Sequence, residues 1–191
     1  TQRIEKAING DMEEAKSLIQ EAEEKANNEE EVTSLQILKA EYYMLLKDFE
    51  TSQLWMDKGE ETANKYVHLK LKHLKLRTNF FFHQGNFDAV FQELAENSAT
   101  INGLAPEDQS YFMLVAARAY FKTNQIELAR VNVTRSLDLL ETVESLDNND
   151  NRAWAYGLLG QIFLYEGQFD SSTYYLLDAM ALFETSNNQR G

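Results

Sequence analysis

Apolar positions recur with a helical period along the chain, in stretches separated by short polar turns. Each turn is followed at once by an apolar residue and a new helical stretch, as in Gly10-Asp11-Met12, Lys47-Asp48-Phe49, Gly85-Asn86-Phe87, Asn124-Gln125-Ile126 and Gly167-Gln168-Phe169. The turns are spaced by 37, 38, 39 and 43 residues. A repeat of this length indicates stacked supersecondary units that share a continuous core.

The stretches between the turns predict an all-α chain. Val67 to Lys72 alternates like a strand, but a lone strand would have no pairing partner, so we expect helix there. Pro106 suits the first turn of a helix, and the polar segment 147–151 predicts a loop. The predicted helices run over 11–28, 30–46, 48–64, 66–84, 87–101, 106–123, 125–145, 151–166 and 168–186.

Two kinds of side chain recur at fixed positions of the repeat. An aromatic residue lies four positions before each of the last four turns: Tyr43, Phe81, Tyr120 and Phe163. We expect these four residues, together with Leu159 and Phe169, to be buried between helices. Mostly small residues recur at three further positions, which favours close helix crossing. They are Ala40, Thr78, Ala117 and Gly160; Ala15, Ser52, Val90, Ala129 and Ser172; and Ala22, Gly59, Asn97, Ser136 and Ala179.

The segment Tyr156-x-x-Leu159-Gly160-x-x-Phe163, followed by Gly167, Phe169 and Ala179, resembles the tetratricopeptide repeat (TPR). The resemblance implies a right-handed superhelical solenoid of antiparallel helix hairpins, with about four repeats and a partial one. Long, degenerate repeats of this kind look like those of regulatory and sensory TPR proteins. We therefore expect a single TPR-like domain over 1–191, with repeats at approximately 1–28 (partial), 30–64, 66–101, 106–146 and 150–186.

Charge limits the class of partner. The chain has 191 residues and a formal charge of −13, whereas residues 67–83 hold four bases, no acid and all three histidines. An acidic chain is a poor ligand for nucleic acid, and we expect none. The absence of long apolar runs predicts a soluble segment without a membrane span, and its compartment, cytoplasmic or periplasmic, stays open. Without cysteine, disulfides and cysteine-based zinc sites are excluded.

The sequence offers little for catalysis. His68, His73 and His83 are five and ten residues apart, and these spacings place them on different helical faces. Runs of neighbouring glutamates diverge around a helix and are typical of a solvated face. Phosphate-binding glycine loops and nucleophile elbows do not occur. We therefore expect no enzyme, with no catalytic residue, no metal ligand and no cofactor.

The TPR resemblance implies a concave groove lined by the first helix of each repeat. Its register places on that groove a set of bases and aromatics: Lys72, Lys75, Asn79, Phe82, His83, Tyr111, Arg118, Phe121, Lys122, Trp154, Gln161 and Tyr165. Such a surface suits an extended or helical peptide with acidic groups, since guanidinium and ammonium groups bond carboxylates and aromatics supply contact area. Alternatively, Phe82, Phe121 and Leu164 pack against the next repeat, and Lys72 and Lys75 are solvated.

These observations predict a protein or peptide-binding module, either an adaptor or the sensory or regulatory part of a larger signalling protein. The alternative is a helical small-ligand binder or enzyme with a groove site around His83 and Arg118. Residues 1–9 resemble the end of an earlier helix and residues 188–191 the entry to a later one, so we expect a fragment of a longer protein. Its apolar repeat ends would allow self-association.

Overall fold

The computed structural model describes residues 2–141 and 149–185, and within these ranges every regular element is an α-helix. There are eleven: α1 (Gln2–Gly10), α2 (Met12–Lys25), α3 (Glu29–Leu45), α4 (Phe49–Ala63), α5 (Val67–Gln84), α6 (Phe87–Glu96), α7 (Ser98–Asn102), α8 (Pro106–Lys122), α9 (Ile126–Glu141), α10 (Asn149–Tyr165) and α11 (Phe169–Thr185). The predicted all-α class is confirmed.

Local sequence accounts for most helix boundaries. Helix α5 begins at Val67, so the alternating segment is helical as predicted, and Pro106 opens α8. The single helix predicted over 87–101 is wrong, because it breaks at Asn97. There the Asn97 amide donates to the Glu93 carbonyl at 2.9 Å and to the Glu93 carboxylate at 3.1 Å, side-chain bonds that compete with helix continuation.

The loop predicted over 147–151 is partly wrong, because α10 already begins at Asn149. Residues 142–148, which hold the rest of that loop, lie outside the described residues, as do residues 188–191 and their predicted helix entry.

The four later turns share one geometry. Lys47, Gly85, Asn124 and Gly167 have φ of 63°, 74°, 61° and 75°, in the left-handed region that ends many helices. In each turn the next N–H reaches back to the carbonyl of the recurring aromatic residue: Tyr43 at 3.0 Å, Phe81 at 3.0 Å, Tyr120 at 2.8 Å and Phe163 at 2.9 Å. The aromatic and the turn residue therefore form one helix-ending motif, which explains why they recur together.

Small residues mark the close crossings of paired helices. Ser52 of α4 is fully buried and donates to the Ala40 carbonyl of α3 at 2.7 Å. Ser172 of α11 donates in the same way to the Gly160 carbonyl of α10 at 2.9 Å. A side chain can reach the backbone of the facing helix only where the two helices lie close together. The predicted role of these positions is confirmed in both hairpins.

The aromatic positions are covered less completely than predicted. Leu159 is buried, whereas Tyr43, Phe81, Tyr120 and Phe163 are half-buried. For Phe169 the prediction is wrong, since it is 67% exposed. The equivalent residue of α4, Phe49, lies 5.8 Å from the Phe80 ring of α5, and among the described residues no helix follows α11 to cover Phe169 in this way.

The contacts divide the chain into two compact units, Thr1–Asn86 and Phe87–Gly191. In the first, one apolar cluster includes Ile8, Ile19 and Leu38, and another includes Met44, Met56, Leu69 and Phe80. In the second, Leu114, Val133, Leu158 and Ile162 are central to the core. The repeat predicted over 66–101 contributes α5 to the first unit and α6 to the second.

Two glycines of α10 test the close crossing. A Cβ on Gly160 would lie 2.6 Å from Leu176 Cγ and 3.3 Å from the Ser172 carbonyl oxygen, whereas one on Gly157 would meet only Ala179 Cβ at 4.0 Å. Gly157→Ala should stabilise the chain by about 0.5–1 kcal/mol through helix propensity. Gly160→Ala should be less stable than Gly157→Ala by about 1–3 kcal/mol, because Leu176 must move. Urea unfolding measures both. Equal stabilities would contradict a close crossing at Gly160.

Candidate functional site

The predicted site residues of the first unit all lie on α5. Lys72, Lys75, Asn79 and Phe82 are partly exposed and His83 is exposed. The Phe82 ring packs edge-on against the His83 ring, with centroids 6.0 Å apart. All five residues lie on one helix, which explains why the helical period of the sequence could group them.

Lys72 has a partner within the unit. Its Nζ lies 2.7 Å from Glu5 Oε1 of α1, and both side chains are well exposed, at 40% and 37%. An ion pair of this exposure contributes at most about 1 kcal/mol, so Lys72 remains available for exchange with another carboxylate. The role predicted for Lys72 in binding a partner stays a prediction.

In the second unit, α8 and α10 bring four of the predicted residues together as two pairs. The guanidinium of Arg118 lies over the Trp154 ring, with Cζ 5.2 Å from the centroid. One helical turn further along α8, Phe121 packs edge-on against Tyr165, with centroids 6.4 Å apart. Arg118 and Phe121 are three residues apart and Trp154 and Tyr165 eleven apart, so each helix presents its two residues on one face. We call these four residues the α8–α10 face.

A turn residue and a neighbouring helix contact the exposed aromatics of this face. The Tyr165 hydroxyl donates to Asn124 Oδ1 at 2.9 Å, although its residue is 61% exposed. Trp154 is 38% exposed and packs edge-on against Phe183 of α11, with centroids 5.2 Å apart. Both rings therefore have contacts within the unit in the absence of a partner, which reduces the side-chain freedom lost on binding.

The remaining predicted residues border this face. Tyr111 lies two turns before Arg118 on α8 and packs edge-on against Phe112, with centroids 5.2 Å apart. Lys122, at the end of α8, and Gln161, on α10 between Trp154 and Tyr165, are exposed. They place one positive charge and one amide at the edge of the aromatic surface.

Arg118 is a cation of the predicted set that burial removes from much of its solvent. Burial lowers the pKa of its guanidinium below the ordinary value, and Tyr111 partly opposes this shift. Arginine keeps its proton in proteins, so the lowered pKa reflects a charge held where water solvates it poorly. A charge in such surroundings interacts more strongly with a carboxylate than an exposed lysine does.

The sequence reasoning missed a second cation and tryptophan cluster, which lies in the first unit. Lys39 of α3 lies 3.5 Å from the Trp55 ring centroid and 2.5 Å from Glu23, with its side chain only 13% exposed. Lys58 flanks the same ring at 4.1 Å. Only the spacing of Trp55 and Lys58, three residues apart on α4, could have been read from the sequence. The contact of Lys39 with this ring depends on the packing of α3 against α4 and could not have been read from the sequence.

The described parts of the chain contain no group of three or more His, Asp or Glu side chains placed to hold a metal ion. Within those same ranges, no helix has the length and apolar character needed to cross a bilayer.

The pairing of Arg118 with Trp154 can be measured by a double-mutant cycle. Arg118→Gln and Trp154→Leu, alone and combined, should give a coupling free energy of about 0.5–2 kcal/mol, the range for a partly desolvated cation over an aromatic ring. Urea unfolding of the four proteins supplies the values. The same cycle with Lys58→Gln and Trp55→Leu is a control for a more exposed cation. A coupling near zero for Arg118 would contradict a stabilising stack.

No protein-family model matches this sequence, and no curated protein matches it significantly. Among solved structures, the chain is similar to the crystal structure of BtubC (BKLC) from P. vanneervenii. The similarity has a TM-score of 0.64 at 17% sequence identity and covers 93% of this chain and 75% of that one. At this identity the similarity concerns the fold alone.

Proposed function

We propose that this chain is a protein-binding module rather than an enzyme, and that its α8–α10 face binds peptide segments carrying acidic side chains. The observation that supports this most directly is the Arg118 guanidinium stacked on Trp154 in the wall of an exposed aromatic surface. We further propose that the chain is a TPR-like repeat array serving as an adaptor or as the sensory part of a larger protein.

Charge favours an acidic partner. Residues 84–191 carry 15 acids and only six bases, yet two of those bases, Arg118 and Lys122, lie at the predicted site. A carboxylate approaching Arg118 would meet a poorly solvated positive charge, and a planar guanidinium can bind it through two parallel hydrogen bonds.

The aromatic residues favour a polypeptide over a small metabolite. Trp154 and Tyr165 are exposed and eleven residues apart on one helix, which corresponds to about 16 Å along its axis at 1.5 Å per residue. A surface of this length, with tryptophan, tyrosine and arginine along it, has the composition of protein interface hot spots. It fits several consecutive side chains of a bound segment.

On α5, Lys75 and Asn79 lie one turn apart, with Phe82 and His83 further along the helix. We propose that this helix is a contact surface of the first unit in its own right, with Lys75 attracting carboxylates of a peptide and Asn79 bonding its backbone. Exposed lysines of this kind chiefly raise the association rate and make binding sensitive to salt.

Selection of displayed random 12-residue peptides on the immobilised chain tests the proposal directly. We expect the enriched peptides to combine Asp or Glu with apolar residues. Their affinity, measured by fluorescence anisotropy, should fall at least about 30-fold, equivalent to about 2 kcal/mol, in the Arg118→Glu variant. Arg118→Lys should also weaken binding, because an ammonium group cannot replace the planar fork.

Arg135→Glu is the matched control, since Arg135 is an exposed base on α9, a helix that carries none of the predicted residues. It should leave the affinity unchanged, and circular dichroism should show that every variant keeps its helical content. Enrichment of basic peptides, or equal loss with Arg135→Glu, would overturn the proposal. A thermal shift with small metabolites but no enriched peptide would favour the small-ligand alternative.

A further inference from the structure

A polar pocket of about 470 Å³ lies in the second unit, where α9, α10 and α11 meet. Its volume falls in the range of small-molecule sites, which run from about 300 to 1,000 Å³. Charged and tyrosine side chains from all three helices line it: Glu141 of α9, Arg152 and Tyr156 of α10, and Tyr174, Tyr175 and Asp178 of α11. We call it the α9–α11 pocket.

The pocket lies on the side of α10 that is turned away from the α8–α10 face. Arg152 and Tyr156 are four residues apart on this helix and share one side of it. Trp154 lies two residues from each of them, which places it about opposite. A ligand in the pocket therefore needs none of the residues of the proposed peptide-binding surface.

Three tyrosine rings that contact one another form the aromatic wall of the pocket. Tyr175 stacks on Phe163 of α10, with centroids 5.3 Å apart and ring planes 10° from parallel. Tyr156 and Tyr174 both pack against Tyr175, at centroid distances of 5.8 Å and 5.3 Å. Tyr174 is nevertheless 62% exposed, so a ligand can reach its ring.

The charges of the pocket favour a cation as its ligand. Among the described residues that line it, two are acids, Glu141 and Asp178, and one is a base, Arg152. Arg152 is half-buried and donates to the Leu140 carbonyl at 2.7 Å, so part of its guanidinium is engaged within the unit. The charge of Asp178 and a hydrogen bond to its carboxylate raise the pKa of the Tyr174 hydroxyl. An ionised carboxylate therefore lies beside an accessible aromatic ring.

We infer that the α9–α11 pocket binds an organic cation that carries its ammonium group on an apolar body. The ammonium group bonds Asp178 and lies over the Tyr174 ring, whose negative face attracts it. A carboxylate has about four acceptor positions, so Asp178 can bond the Tyr174 hydroxyl and the ligand together. The apolar body lies against Tyr156 and Tyr175, and Glu141 adds a second negative charge.

A free amine and the side chain of a lysine in a protein both supply this chemistry. The pocket uses residues outside the α8–α10 face and takes a ligand of the opposite charge, so the inference does not rest on the proposed function.

Three small compounds with a phenyl ring test the charge preference: the cation phenethylamine, the neutral 2-phenylethanol and the anion phenylacetate. Each is titrated into the complete ¹⁵N-labelled chain and followed in proton–nitrogen correlation spectra. Phenethylamine should shift the amides of residues 174–178 saturably, with a Kd of about 1 mM or tighter. The neutral compound should bind at least about 10-fold more weakly, because it forms no charge-assisted bond. Saturable binding of phenylacetate would make Arg152 the recognising group and overturn the inference.

Variants of two pocket residues separate the roles of charge and ring. Asp178→Asn should weaken phenethylamine binding at least about 10-fold, because it removes the charge and keeps the size of the side chain. Tyr174→Leu should also weaken it, since the ring face is lost, whereas Tyr174→Phe keeps the ring and should bind at least as well as the original chain. Circular dichroism checks that each variant keeps its helical content.

Asp170→Asn is the matched control, since Asp170 is an exposed aspartate of the same helix and does not line the pocket. It should leave the affinity unchanged, and an equal loss with this variant would overturn the inference. So would the absence of saturable shifts up to about 20 mM phenethylamine. Shifts confined to the Trp154 indole would overturn it as well, because the ligand would then occupy the α8–α10 face.

The peptide acetyl-Gly-Lys-Gly-amide distinguishes the two sources of the cation. Binding tighter than that of phenethylamine identifies a lysine side chain as the ligand, and weaker binding identifies a free amine. Both results support a cation site if Asp178→Asn reduces them, and an affinity that Asp178→Asn leaves unchanged contradicts it.

Discussion

The close crossing of paired helices at small side chains is the constraint on which the rest of each unit depends. Ser52 and Ser172 can reach the carbonyls of Ala40 and Gly160 only because no larger group separates the two backbones. The same closeness fixes the rotation of both helices, since a ridge of small residues fits its partner in one register. Once that rotation is set, the faces turned away from the crossing are set as well, including the one that carries Arg118 and Trp154.

The helix-ending motif is the second local feature, beside the close crossing, that determines the shape of each hairpin. A left-handed residue such as Lys47 or Gly167 reverses the chain within three residues, and the bond to the aromatic carbonyl fixes where the helix ends. With the crossing point and the turn both determined locally, each hairpin can form before it contacts the next one. Contacts between hairpins then depend on the apolar residues beside the turn, such as Phe49, and these are the residues left exposed at α11.

Charged side chains lie both between neighbouring helices and on exposed faces. Arg77 of α5 pairs with Glu60 of the hairpin that α5 covers, and Arg130 of α9 pairs with Glu166 beside the covering α10. Arg118 stacks on an aromatic ring at a partly exposed surface. The acidic surplus is carried by exposed faces and by helices such as α11.

Sequence alone was sufficient for the helical class, the four turns and the small crossing positions, because each depends on a few neighbouring residues and on one helical period. It also grouped Arg118 with Phe121, and Trp154 with Tyr165, because these pairs lie on single helices. Only the tertiary structure decided that Arg118 lies over Trp154, that Lys72 meets Glu5, 67 residues away, and that Lys39 is held against Trp55. Burial was undetermined for the same reason. Phe49 and Phe169 hold the same place in the repeat, and their exposure differs because, among the described residues, only Phe49 is covered by a following helix.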